Sequence, residues 1–203
     1  VFLDEDDTIL YASDLGLDLV NAYNVDYSTG TLTLIPDLCL HIQPGRGPRS
    51  MAVNPSGTYL YLTTEMGCTC IVYKKSGLTW KPIQEISTVP KDISCSNITA
   101  EASLSPDGSF LYVSNRGHDS IGVFSISKEN GSLTPIQWIS TQGKTPRSFC
   151  MDSGGNWLIA ANQDSDTLSA FSRDAASGKL NFLHQEYAAT PVCVRMYDPV
   201  NKS

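Results

Sequence analysis

The sequence predicts an all-β protein of the β-propeller class, with about four blades of four antiparallel strands each. A Leu-Tyr or Leu-Ile pair recurs at Leu10, Leu60, Leu111 and Leu158, and successive pairs are 50, 51 and 47 residues apart. Each repeat contains short segments rich in β-branched and aromatic residues, with no segment of helical periodicity between them. Repeats of this length and content are typical of propeller blades.

Each repeat opens with a predicted hairpin. In the clearest copy, a Ser-Pro-Asp-Gly turn at 105–108 is followed by a strand at 109–114, a polar loop at 115–120 and a strand at 121–126. Proline presets φ at the second position of a turn, and glycine or aspartate tolerates the positions that follow. The corresponding turns in the other repeats lie at 4–7, 54–57 and 152–155.

Third and fourth strands complete the predicted repeat. Third strands are expected at 20–23, 70–73 and 167–171, and a fourth strand at 133–136. Turns containing Gly30, Gly77, Gly131 and Gly178 follow the third strands. We therefore expect one propeller domain over residues 1–203, with blades at roughly 1–50, 51–101, 102–148 and 149–203.

The two ends of the sequence predict an incomplete ring. Val1 is equivalent to Met51, and residues 190–194 match residues 47–51, so both ends fall within an innermost strand. Because an open arc of four blades would leave strand edges and an apolar blade face exposed, we expect a larger ring, with self-association through the exposed edges as a further expectation. A closed four-bladed ring, or a ring completed by another chain, are the alternatives.

The composition argues against several classes of partner. The net charge of −7 and the pI near 4.8 disfavour nucleic acid and anionic membranes. No apolar run is long enough to span a bilayer and the first residues do not resemble a signal peptide, so a cytoplasmic protein is expected. The six cysteines lack metal-site spacing and are interpreted as free thiols, and no nucleotide or metal motif occurs, so neither a cofactor nor a metal is predicted.

Propeller geometry predicts which side chains share one end of the channel. The loops that enter the first strands and the loops that join the second and third strands fall on the same face, which we call the site face. Arg49 and Arg147 are equivalent residues two blades apart, and Glu101 aligns with Ser50 and Ser148. The polar residues expected on the site face are Arg46, Arg49, Ser50, Glu65, Glu101, Arg116, His118, Asp119, Arg147, Ser148, Asn162, Gln163 and Asp164.

These residue types suit a small anionic ligand. The planar fork of arginine matches a carboxylate or a phosphate, and a glutamate among arginines can act as a general base or acid while an arginine holds an oxyanion. The alternative is structural, because arginine and glutamate on neighbouring strands also form ion pairs. His118 is equally well explained as a loop residue bonded to Asp119, and Asn162 as a turn former.

The sequence resembles the seven-bladed propeller lactonase family, which includes a bacterial type of 6-phosphogluconolactonase and the fungal 3-carboxymuconate lactonizing enzyme. The segments that carry the resemblance are Ala-Glu at 100–101, Ser-Pro-Asp-Gly at 105–108, Asn-Arg-Gly-His-Asp at 115–119, Thr-Pro-Arg at 145–147 and Ala-Asn-Gln-Asp at 161–164. The resemblance implies that the chain corresponds to about the four C-terminal blades of a seven-bladed ring. It also implies active-site roles for Glu101, Arg116 and Arg147, whereas the family histidine after Gly-Pro-Arg is replaced by Ser50.

The leading hypothesis is a lactonase that hydrolyses a sugar lactone, with 6-phosphoglucono-1,5-lactone as the first candidate and 6-phosphogluconate as the product. Glu101 would be the acid/base, and Arg49, Arg116 and Arg147 would hold the phosphate and the oxyanion. Further substrate contacts are predicted at Ser50, His118 and Asn162. A non-catalytic binding or scaffold propeller and a muconate-type cycloisomerase are the alternatives.

Overall fold

The computed structural model describes residues 1–4 and 6–197, which form four antiparallel sheets arranged as consecutive propeller blades. The all-β prediction and the predicted blade architecture are confirmed. The strands are β1 (Phe2–Leu3), β2 (Ile9–Asp14), β3 (Leu19–Asp26), β4 (Thr31–Leu34), β5 (Leu40–His41), β6 (Pro48–Val53), β7 (Tyr59–Thr64), β8 (Thr69–Ser76), β9 (Thr79–Ser87), β10 (Ile98–Leu104), β11 (Phe110–Arg116), β12 (Ser120–Ile126), β13 (Leu133–Ser140), β14 (Pro146–Met151), β15 (Trp157–Asn162), β16 (Thr167–Arg173) and β17 (Leu180–Tyr187).

Each sheet follows the order of the chain, so every strand pairs with its sequence neighbour. The first sheet, β1 to β4, gains β5 as an additional partner of β3. Two short 3-10 helices, Pro36–Leu38 and Gln163–Ser165, lie in loops. The described residues contain no helix that is long and apolar enough to cross a membrane.

The first strands of the second, third and fourth sheets begin a few residues before the blade boundaries that the sequence predicts. The predicted boundaries after residues 50, 101 and 148 fall inside β6, β10 and β14. These first strands begin at Pro48, Ile98 and Pro146, because the residues that lead to the site face are already paired with the second strand of their own sheet. The final residues of the fourth predicted blade, 198–203, lie outside the described residues.

The core is divided into three apolar layers, one between each two consecutive sheets. Leu60 and Leu62 of β7 face the first layer, while Tyr61 between them faces the second, as the two-residue period of a strand requires. Leu111 of β11 likewise faces the second layer and Tyr112 the third. Full burial of each such side chain contributes roughly 1.5–3 kcal/mol, so the packing of blade on blade determines the architecture.

In the second and third sheets, a buried tyrosine bonds to a turn between the last two strands of the following sheet. The Tyr61 hydroxyl donates to the carbonyl oxygen of Gly131 at 3.1 Å, and the Tyr112 hydroxyl donates to that of Gly178 at 2.7 Å. Burial raises the pKa of Tyr112 to about 12. Both glycines have φ of +71° and lie against an aromatic ring, so a side chain would be strained and would collide there.

The first strands lie side by side along the inner edge of the blades, with β10 in contact with both β6 and β14. Residues at the start of these strands therefore share one end of the channel. This arrangement places the candidate site.

Candidate functional site

A repeated aspartate fixes the loops that lead to the site face. Each of these aspartates ends the loop between the second and third strands in the left-handed conformation, with φ of 52–53°, and accepts a backbone N–H from the next blade. The pairs are Asp18 with Gly47 (2.7 Å), Asp119 with Thr145 (2.8 Å) and Asp166 with Thr190 (2.7 Å). The N–H groups of Gly47 and Gly45 lower the pKa of Asp18. Since Gly47 and Thr145 precede Arg49 and Arg147 by two residues, these bonds fix the approach of both arginines.

Four of the predicted site residues line one open cavity. Its volume is about 370 Å³, and it lies where the first strands of the second, third and fourth blades begin. The lining residues are Arg49, Ser50, Glu101, Arg147, Ser148, Val192, Cys193 and Arg195. The predicted convergence of Arg49, Ser50, Glu101 and Arg147 is therefore present in the structure, while their roles in catalysis and binding stay predictions.

At equivalent positions in the first strands β6, β10 and β14, a side-chain oxygen accepts the same backbone hydrogen bond from the segment that follows in the ring. The Ser50 hydroxyl oxygen accepts from the backbone N–H of Ala102 at 3.0 Å, and Glu101 Oε2 accepts from that of Phe149 at 3.2 Å. The Ser148 hydroxyl oxygen accepts from the N–H of Val194 at 3.3 Å. One carboxylate oxygen of Glu101 thus does what a serine hydroxyl does in the neighbouring blades.

The second oxygen of Glu101 faces an arginine that the sequence analysis did not single out. Arg195 Nη2 lies 3.2 Å from Glu101 Oε1, and the Arg195 side chain is 65% exposed. Ion pairs this exposed contribute little to stability, because water competes for both groups. A ligand can therefore displace Arg195 from Glu101 at small cost.

Glu65 connects two of the predicted arginines. Its Oε2 lies 2.7 Å from Arg49 Nε and 2.8 Å from Arg116 Nη2. Arg116 also donates to the carbonyl oxygen of Thr99 at 3.1 Å, and its side chain is only 8% exposed. Arg116 therefore lies behind Glu65 instead of lining the cavity, which departs from the direct substrate contact predicted for it.

The electrostatics of Arg49 follow from this crowding. Burial, followed by the positive charges of Arg116 and Arg147, lowers the pKa of the Arg49 guanidinium, while the negative charge of Glu65 acts in the opposite direction. The Arg147 side chain, in contrast, is exposed and forms no hydrogen bond or ion pair with residues 1–4 or 6–197. Of the arginines that line the cavity, Arg49 and Arg195 are thus each paired with a glutamate, whereas Arg147 has no ion pair within the described residues.

His118 and Asn162 do not line the cavity. His118 Nδ1 is 2.7 Å from the Ser120 hydroxyl oxygen, and Asp119, the alternative partner considered above, accepts backbone N–H groups instead. Asn162 is fully buried and donates to the carbonyl oxygen of Thr141 at 3.2 Å. A substrate cannot reach a fully buried amide, so the position of Asn162 favours a structural role over the predicted substrate contact.

Nothing in the described ranges forms a group of three or more histidine, cysteine, aspartate or glutamate side chains that could hold a metal ion. The six cysteines are free thiols, with Cys70 and Cys150 buried. The polar groups that line the cavity are guanidinium, carboxylate and hydroxyl, together with the thiol of Cys193.

Blades of four antiparallel strands and a channel mouth lined by arginine and glutamate define a β-propeller with a charged channel mouth. The family model described as "Lactonase, 7-bladed beta-propeller" matches residues 1–196, and the chain belongs to this family. The resemblance noted from the sequence is thereby confirmed.

The relatives named 6-phosphogluconolactonase include two that are more than 30% identical to this chain. The protein from Bacillus subtilis is 34% identical over 93% of this chain and 54% of its own length. The protein from Formosa agariphila is 36% identical over 87% of this chain and 51% of its own length. The chain thus spans about half the length of the curated relatives it matches.

Solved structures also resemble this chain over most of its length. A protein from Lactobacillus plantarum superposes with a TM-score of 0.91 at 35% identity, covering 97% of this chain and 57% of that one. A periplasmic gluconolactonase from Pseudomonas aeruginosa superposes with a TM-score of 0.89 at 30% identity, covering 94% of this chain and 54% of that one.

Proposed function

We propose that the protein containing this chain hydrolyses a sugar lactone that carries an anionic group, with 6-phosphoglucono-1,5-lactone as the substrate and 6-phosphogluconate as the product. The observation that carries this proposal is the charge of the site. Arg49, Arg116, Arg147 and Arg195 surround Glu65 and Glu101, an excess of two positive charges in a chain of net charge −7. Such a local excess in an acidic protein suits a phosphate. Relatives named 6-phosphogluconolactonase support the same choice.

Glu101 is the group best placed for proton transfer. Its Oε2 is held by the Phe149 N–H, so Oε1 becomes available once Arg195 moves aside. As a general base, Oε1 takes a proton from water while the water oxygen bonds to the lactone carbonyl carbon. The tetrahedral intermediate then collapses, the bond from carbon to the ring oxygen breaks, and Glu101 returns the proton to that oxygen.

The arginines have separate roles in this proposal. Arg147 is exposed and without a partner in the described part of the chain, so it binds the phosphate or the developing oxyanion directly. Arg49 reaches the same cavity and provides the second cationic contact. The Ser50 oxygen already accepts the Ala102 N–H, which leaves its own proton to donate to a substrate oxygen.

The test compares two substrates on the full-length protein. Hydrolysis of freshly made 6-phosphogluconolactone is coupled to a dehydrogenase that oxidises the product, and glucono-1,5-lactone hydrolysis is followed by acid release. We expect a rate well above spontaneous hydrolysis for the phosphorylated lactone and a higher KM for the neutral one, because the neutral lactone lacks the group that the arginines bind. Equal kcat/KM values for the two would contradict the phosphate role, and no rate above background would contradict hydrolysis.

A second candidate is a propeller that binds an acidic sugar without converting it. Ser50, at the position of the family histidine, is the observation that favours it, because a hydroxyl cannot transfer protons at neutral pH as an imidazole does. Binding of 6-phosphogluconate in calorimetry, with lactone hydrolysis at the spontaneous rate, would establish this candidate.

A further inference from the structure

We propose that Glu65 is a positioning residue, whose carboxylate holds Arg49 and Arg116 in the geometry that the ligand requires. This inference rests on the proposed function, since it assigns Glu65 a part in binding the anionic substrate. Nothing in the sequence analysis gave Glu65 more than a place on the site face. The structure adds its contacts with both arginines.

The backbone of Glu65 is fixed on two sides. Its N–H donates to the carbonyl oxygen of Gly47 at 2.6 Å, and its own carbonyl oxygen accepts from the N–H of Thr99 at 3.0 Å. Gly47 leads into the first strand of the same blade, and Thr99 lies in the first strand of the next. The side chain therefore starts from a point that is fixed relative to both strands beside the cavity.

One oxygen of Glu65 serves both guanidinium groups. Arg49 Nε and Arg116 Nη2 lie 2.7 Å and 2.8 Å from Oε2, within the range of charge-assisted hydrogen bonds. Two guanidinium groups this close repel each other, and the carboxylate between them offsets that repulsion. Arg116 is anchored further by the carbonyl oxygen of Thr99.

The contact with Glu65 leaves the two terminal nitrogens of the Arg49 guanidinium available to a ligand. Glu65 binds Nε, and neither terminal nitrogen of Arg49 has a hydrogen-bond partner within residues 1–4 and 6–197. Arg49 itself lines the cavity. A guanidinium held at Nε presents its two terminal nitrogens as a fork, which is the arrangement that binds two oxygens of a phosphate.

Glu65→Gln is the informative variant. Both arginines contact the same oxygen, so an amide oxygen in that place could reach both, but it carries no negative charge. The repulsion between the two guanidinium groups is then no longer offset, and they move apart. Glu85→Gln is the matched control, because Glu85 also pairs with an arginine, Arg46 at 2.9 Å, but outside the cavity. Glu65→Asp keeps the charge and provides a second variant if the glutamine protein is poorly folded.

The experiment measures kcat and KM for 6-phosphogluconolactone and the Kd of 6-phosphogluconate by calorimetry, on full-length proteins whose thermal unfolding is recorded. We expect Glu65→Gln to lower kcat/KM about 10²-fold, as misplacement of a binding group by about an ångström does. We also expect Glu65→Gln to raise the Kd. The kcat/KM of Glu85→Gln should stay within about twofold of wild type, and that of Glu65→Asp should lie between those of Glu65→Gln and wild type. In an Arg49→Ala background, Glu65→Gln should lower kcat/KM much less, because Arg49, one of the two arginines that Glu65 positions, is already absent.

The outcomes separate this inference from the proposed function. If the wild-type protein hydrolyses the lactone and Glu65→Gln matches it in kcat/KM and Kd, the positioning role is wrong and the function stands. If the glutamine change costs as much in the Arg49→Ala background as alone, Glu65 does not act through Arg49 and the inference is wrong. If the wild-type protein does not turn over the lactone, a raised product Kd in Glu65→Gln still supports the positioning role. A wild-type protein that neither hydrolyses nor binds overturns both.

Discussion

Ser50 and Glu101 occupy the same position in two successive blades, and each accepts a hydrogen bond from the backbone of the following blade. The acceptor distances are 3.0 Å to the Ala102 nitrogen and 3.2 Å to the Phe149 nitrogen. The position thus has a structural task that either side chain can perform. Only the glutamate has a second oxygen that this bond does not use.

Replacing Glu101 by serine should therefore separate stability from activity. At the equivalent positions, the hydroxyl oxygens of Ser50 and Ser148 accept the corresponding bond. We therefore expect the free energy of unfolding of Glu101→Ser to lie within about 1 kcal/mol of the wild-type value. Hydrolysis should be lost, because no carboxylate remains. Glu101→Leu is the control: it removes the acceptor as well and should cost about 1–3 kcal/mol in denaturant unfolding. Equal stability of the serine and leucine proteins would speak against the shared structural role.

Asn162 is expected to contribute to stability and not to substrate binding. Its amide donates to the Thr141 carbonyl oxygen, which joins the fourth blade to the end of the third. Asn115 makes the equivalent bond to Thr88 at 2.9 Å. Asn162→Ala should lower the free energy of unfolding by about 1–3 kcal/mol because it leaves a buried acceptor with fewer partners. The KM should not change, and Gln163→Ala, a change of the half-buried residue that follows, should alter neither the KM nor the free energy of unfolding. A raised KM at unchanged stability would restore the substrate contact predicted from the sequence.

Arg147 should contribute to binding and not to stability. Its side chain is exposed and has no ion pair among the described residues, so Arg147→Ala removes no contact within that part of the fold. Loss of one charge-assisted hydrogen bond to the ligand should raise the Kd of 6-phosphogluconate about 10- to 100-fold in calorimetry. Arg46→Ala, which removes an arginine paired with Glu85 away from the cavity, is the control and should leave the Kd unchanged. A Kd that responds equally to both changes would indicate only a general electrostatic effect.

Asp26 should titrate at unusually low pH. The Ser28 and Thr29 hydroxyls, followed by the Ser28 N–H, donate to its carboxylate and lower its pKa to about 2. A depressed pKa in the folded state means that this contribution to stability is complete above the unfolded value near 4 and is lost as the pH falls from about 4 towards 2. Carbon-13 NMR of the carboxyl group should show the low midpoint, and Ser28→Ala should raise it, since Ser28 makes the largest contribution. An ordinary midpoint in the wild-type protein would contradict the turn geometry.

The sequence was sufficient to predict the blade architecture and the face on which the candidate site lies. The repeat spacing and the turns at residues such as Pro106 and Gly108 act locally, so they can be recognised without coordinates. The alignment of Glu101 with Ser50 also follows from strand register, which the pairing of β6 and β10 with their neighbours bears out.

The ion pairs of Glu65 and Glu101 could not be predicted from the repeat alignment. Glu65 and Arg116 occupy equivalent positions one blade apart and have opposite charges, which was the one signal that could have predicted their contact. Whether they meet depends on how two blades pack and on side-chain rotamers, neither of which a repeat alignment contains. The bond from His118 to Ser120 and the approach of Arg195 to Glu101 depend on rotamers and chain path in the same way.

The most direct measurement is the rate of 6-phosphogluconolactone hydrolysis by the full-length protein and by its Glu101→Gln variant, in the coupled dehydrogenase assay. The amide oxygen can still accept the Phe149 N–H, so the variant should fold as the wild type does. We predict a robust rate for the wild type and a rate at the spontaneous background for the folded variant. An unchanged rate in the variant would contradict the role of Glu101 as the acid/base of this site.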